Sequence, residues 1–150
     1  PPGARARAPR ARAAAPVPQD RRRRRAAMSG GVVKQADEEP ARRVETGRST
    51  RMQILLGEED GAPDFTMRRF VMEAGGGMPR HTNEVEHEQY VLRGRARIGM
   101  GEEVHVVEPG DAVLIPAGVP HSYEVVEGPF EFLCMVPNRP DRIAVLEPDG

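Results

Sequence analysis

From residue 50 onward the apolar and β-prone residues come in short runs. They are TRMQILL (50–56), DFTMRRFVMEA (64–74), EQYVLRGRARIGM (88–100), EEVHVVE (102–108), DAVLIP (111–116), HSYEVVE (121–127) and PFEFLCMVP (129–137). Between them lie GEEDGAPD, GGGMPR, MGEE, EPGD, PAGVP and EGP. Short runs of this kind with turn signals every ~8–12 residues predict an all-β sandwich or barrel. No stretch after residue 48 carries a long apolar period near 3.6, which excludes a helical bundle. No internal repeat is evident. Alternation along a strand places His121, Tyr123 and Val125 on one face. It also places Phe132 and Cys134 on one face of the last run, with Leu133 and Met135 on the other. Two apolar faces predict a strand covered on both sides, as in a dimer interface or beside a small-ligand cavity.

Charge divides the 150-residue chain into unlike parts. Residues 1–27 are almost all Pro, Ala, Arg and Gly and carry nine Arg against one Asp. The remainder carries 13 Lys+Arg against 22 Asp+Glu, so the overall net of −1 averages a basic tail and an acidic body. An acidic body does not attract nucleic acid. The tail cannot bury enough apolar surface to offset its ordering entropy. It is expected to be a disordered extension, foreign to the native chain if Met28 is the true start. The competing reading is a basic arm for nucleic acid or acidic lipid. Residues 28–48 form a polar leader, and 49–150 the barrel domain.

Cys134 is the sole cysteine, so no intramolecular disulfide can form. No apolar run reaches the ~18 residues of a membrane span. RRRRR is followed by AAMSGGVVKQADEEP, which lacks the apolar core of a signal peptide. These features predict a cytoplasmic protein.

Three of the four histidines, His81, His87 and His121, stand beside Gly- or Pro-rich turns at strand ends. Three neutral imidazoles on one barrel wall suit a first-row transition metal. Singly, each reads as a loop or surface histidine. His105, inside EEVHVVE, reads as an ordinary strand residue, and Cys134 as a small buried hydrophobe. Arg93, Arg95 and Arg97 alternate on one face, which reads as a solvated strand face before an anion-binding wall. GGGMP at 75–79 lacks the strand–loop–helix context of a phosphate loop.

Gly75, His81, Asn83, His87 and Gly94 fall into the frame G-x5-H-x-H-x3-E-x6-G, with Asn83 at the second histidine and His87 at the glutamate. Gly110, Pro116, His121 and Val125 fall into G-x5-P-x4-H-x3-N, with Val125 at the closing asparagine. Fifteen residues separate the two frames. Over residues 50–137 the chain resembles the cupin superfamily, and HEQYVLRGRARI, PGDAVLIPAGVPHSY and FLCMVP are similar to small single-domain bacterial cupins with histidine in place of the glutamate.

The resemblance implies a single double-stranded β-helix, or jelly-roll, barrel and a homodimer. It implies one divalent transition metal ion (Fe, Mn, Ni, Co, Cu or Zn) on His81, His87 and His121, with Asn83 as a weaker fourth ligand or a support. Neutral ligands leave the ion its full +2 charge, which favours enolate or carboxylate oxygens. Tyr123, on the His121 face, becomes a hydrogen-bond donor or general acid toward substrate. The expected function is a metal-dependent oxygenase, isomerase or decarboxylase acting on a small organic molecule. The alternative is a barrel that binds or senses a small ligand without turnover.

Overall fold

The computed structural model describes residues 30–147. The expectation of a disordered extension over residues 1–27 lies outside them. Eight strands make one antiparallel sheet: β1 (Arg42–Arg43), β2 (Arg48–Leu56), β3 (Phe65–Thr82), β4 (His87–Met100), β5 (Glu103–Val107), β6 (Ala112–Ile115), β7 (His121–Pro137) and β8 (Ala144–Val145). The pairing order is β1-β2-β3-β7-β4-β5, with β6 on β4 and β8 on β3. The only helical pieces in the described region are two single 3-10 turns, Ala36–Glu38 and Glu58–Asp60. The fold is the expected jelly-roll barrel.

Two expected breaks are continuous strand. GGGMPR lies inside β3, and EGP lies inside β7. Both strands bend there together. The register passes from Met72↔Phe130 to Gly77↔Glu124 across unequal lengths of chain, as a β-bulge requires. A side chain at Gly77 would overlap the Tyr123 carbonyl, and one at Gly128 would sit 2.6 Å from the Ala74 nitrogen. β4 bends likewise at Gly94 (φ 73°), where a Cβ would collide with the Pro129 carbonyl. Glycine therefore marks corners of long strands here, because adjacent backbones close up at each bend.

The bends wrap each long strand around the interior. β7 pairs with β3 and β4 along both of its halves, while β4 pairs with β6 at its start and β5 at its end. The inward residues form rows across neighbouring strands. Phe70, Phe132 and Val91 make one row, and Met78, Tyr123 and Ile98 another. Phe132 stacks on Phe70 at 5.1 Å and on Tyr123 at 5.5 Å between ring centroids. These residues form the buried core. Leu133 and Met135, on the opposite face of β7, are only half-buried.

Residues before β2 are fastened to it. Gln53 Nε2 donates to the carbonyls of Ala36 and Glu39 at 2.8 Å each. Lys34 pairs with Glu39 and Asp60, both at 3.1 Å.

Candidate functional site

The two histidine-bearing segments meet because β3 and β7 are paired neighbours. The register sets His81 directly opposite His121, and Met100 of β4 opposite His121 on its other side. His87 opens β4, with side chain inward beside Ile115 of β6. The His81 and His121 ring centroids are 4.1 Å apart, and those of His87 and His121 5.6 Å. All three rings and Asn83 are buried. His105 lies outside this group, exposed on β5 and 3.0 Å from Glu103.

Backbone carbonyls orient two of the rings. His81 Nδ1 donates to Pro79 O at 2.8 Å, and His121 Nδ1 to Val119 O at 2.9 Å. A carbonyl only accepts, so the proton sits on Nδ1 and Nε2 keeps its lone pair. Burial holds all three rings neutral. It lowers His81 below its ordinary value and His121 to about 4. His87 falls to about 3, through burial first and the positive charge of Arg68 second.

Asn83 is positioned from outside the motif. Asp141, after β7, accepts from Asn83 Nδ2 at 2.7 Å and from the Glu84 backbone N–H at 2.8 Å. With its amide nitrogen engaged, Asn83 presents Oδ1. Three buried atoms of this group make no hydrogen bond: Asn83 Oδ1, His87 Nε2 and His121 Nε2. Each such atom costs roughly 1–3 kcal/mol of unrecovered desolvation. Asn83 Oδ1 and His121 Nε2 are acceptors, which a cation or a donor would satisfy and another acceptor would not; His87 Nε2 joins them in the tautomer that carries its proton on Nδ1. Among the described residues, no three His, Cys, Asp or Glu side chains close to the spacing of a metal-ligand set. The orphaned set is two imidazoles and an amide, with His81 alongside. The donor chemistry fits a divalent transition metal; the ring spacing is looser than a formed coordination sphere.

Tyr123 lies 6.0 Å from His121 between ring centroids. Its hydroxyl accepts a 2.6 Å bond from Gln89 Nε2. Burial raises its pKa well above the usual phenol range, so it holds its proton tightly and is suited to donating a hydrogen bond. Cys134, at 0% exposure, is also pushed up by burial and is no nucleophile at neutral pH. Arg93, Arg95 and Arg97 stand opposite Glu131, Glu127 and Glu124 on β7, a ladder of opposite charges along the strand pair. A depression of about 450 Å³, lined by Thr82, Asn83, Glu84, Gly118, Arg142 and Ala144, abuts Asn83 on the side of the last described residues; no histidine lines it.

Residues 68–136 match the cupin domain profile. A cupin 2 domain-containing protein from Halorhodospira halophila is 31% identical over 66% of this chain and 71% of that one, with a TM-score of 0.61. The chain belongs to the cupin-2 family. Another similar structure is the polyketide cyclase RemF from Streptomyces resistomycificus, at 29% identity and TM-score 0.70, covering 77% of this chain and 87% of that one. A cupin-2 domain protein from Rhodospirillum rubrum is 25% identical with a TM-score of 0.66, over 78% of this chain and 80% of that one. No curated protein sequence matches the chain. No helix among the described residues is long and apolar enough to cross a membrane. Asp141 and Arg68 are the functional candidates that sequence reasoning missed.

Proposed function

We propose that this cupin is a metal-dependent enzyme acting on a small organic substrate of the enolate or carboxylate type. The observation that supports it most is the trio of buried, unpartnered polar atoms on Asn83, His87 and His121. His81, His87 and His121 would hold the ion, with Asn83 Oδ1 beside them, presented by Asp141. When bound, a divalent ion supplies Lewis acidity toward a substrate oxygen. The chain supplies the rest. The Pro79 and Val119 carbonyls keep the Nε2 lone pairs free, and burial keeps protons off them. Gln89 fixes the Tyr123 hydroxyl, whose proton is left to donate toward substrate. The neighbour called a polyketide cyclase supports catalysis, because ring closure of a polyketide proceeds at an enolisable carbon. Exposed Tyr90, Leu92 and Leu114 on the outer face of β4 and β6 support the homodimer.

The second reading, a ligand-binding barrel without turnover, draws on Asn83 standing where the motif has histidine. Metal analysis of the purified protein separates the two when combined with a turnover screen under O₂ and under argon. Stoichiometric metal with turnover supports the enzyme. A metal-free protein that binds ligand without converting it supports the binding barrel.

A further inference from the structure

Arg68 and Arg69 are adjacent on β3 and face opposite ways. Arg69 faces outward and pairs with Glu131 at 2.6 Å and Asp37 at 3.0 Å. Arg68 is in register with Cys134 on β7, which in turn is in register with Gln89 on β4. Cys134 and Gln89 are both buried in the interior, so the guanidinium lies inside the barrel. Arg68 Nη2 donates to Cys134 Sγ at 3.0 Å, and its Cζ lies 5.0 Å from the Phe70 ring centre. Among the described residues no carboxylate lies within ion-pair distance of it. Its Nε is buried and has no acceptor.

A thiol is a weak acceptor and carries no charge to balance a guanidinium. Stacking on Phe70 offsets part of the desolvation and leaves the in-plane N–H groups unused. The site thus sets an unmatched cation and a free donor on the same inner wall as Gln89 and, two residues away on β4, His87. A carboxylate answers both deficits, since its two oxygens match the guanidinium fork.

We propose that Arg68 anchors the carboxylate of a compact organic acid whose second oxygen function faces the histidine cluster. The Gln89–Tyr123 pair links the two ends: Gln89 Nε2 lies 3.8 Å from the Cys134 Sγ that Arg68 contacts, and Tyr123 neighbours His121. This deepens the reading given above and rests on it for the position of the reacting end. It defines the substrate class as small acids such as 2-oxo or 3-oxo carboxylates, and excludes neutral carbonyl compounds as preferred ligands.

The test is calorimetric titration of pyruvate, and of neutral pyruvamide as its control, into metal-loaded wild type, Arg68→Met and Arg68→Lys. Metal content is measured on all three. Arg68→Met should keep its metal and weaken pyruvate binding about 10-fold or more, as loss of a charge-assisted bond implies. Pyruvamide affinity should not change, and Arg68→Lys should fall between. If Arg68→Met does not fold, Arg68→Lys carries the comparison, losing pyruvate affinity alone. Equal pyruvate affinity in wild type and the Arg68 variants, or no pyruvate binding by wild type, overturns the proposal. So does loss of metal from the variants, which would assign Arg68 to upkeep of the histidines. Arg68-dependent pyruvate binding that persists in metal-stripped protein would keep the anchor and refute only the metal reading.

Discussion

At the Phe132 end of the barrel, Phe70, Phe130, Phe132 and Val91 pack on one another, and Arg68, whose Nε is unpaired, stacks beside Phe70. At the His121 end, strands β3, β4 and β7 and the turn after β3 bury three histidines and an asparagine and leave three polar atoms unpaired. The sheet ladder does not distinguish the ends, since both are in register. What differs is what completes them. The aromatic end is completed by the chain itself through apolar burial. On the proposed reading, the histidine end is completed by a bound ion. A fold that tolerates the second kind of end needs surplus stability from the first.

That division predicts unequal responses to damage. Phe132→Ala should cost the most, roughly 3–5 kcal/mol, since it opens a cavity beneath three aromatic neighbours. Urea denaturation measures it, and the loss should be the same with and without metal. A loss under 1 kcal/mol would show that the aromatic end does not carry the fold.

The histidine end should instead answer to protons. The rings titrate at 6.5 when exposed and at about 3 (His87) and about 4 (His121) when folded. Between these values the unfolded chain binds more protons, so stability is lost as pH falls below 6.5. At pH 5 each ring should withhold roughly 2 kcal/mol relative to pH 8 in metal-free protein. Denaturation midpoints at pH 8, 6.5 and 5 give the slope, and a flat profile would contradict neutral burial of the rings.

Asp141 tests the end from outside. Asp141→Ala releases the Asn83 amide, and should weaken metal binding about 10-fold, the low end for loss of a ligand's supporting partner. Equilibrium dialysis reads the constant. Asn83→His should act oppositely and tighten binding. No change in either variant would remove Asn83 from the site.

The histidine cluster was legible because His81, His87 and His121 sit in two linear frames whose spacing survives in the sequence. The strand runs were legible by alternation, and the run-together of β3 and of β7 was not. Gly75–Gly77 and Gly128–Pro129 read as turns locally, and only their mutual contact shows them to be corners. Asp141 reaches Glu84 across 57 residues from a segment with no motif, so nothing local announced it. Arg68 did leave a signal. It shares parity with Phe70 and Met72, which makes it a charge on an apolar face, but MRRF reads first as a pair of surface arginines.

On the proposed reading, the unpaired atoms around His121 await one metal ion. Titration of metal-stripped protein with Co²⁺, followed by its visible absorption, tests it most directly. Saturation at one ion per chain is predicted for wild type and for His105→Ala, and none for His121→Ala. Absence of saturable binding in wild type, or an unchanged titration in His121→Ala, would rule out an ion held by His121.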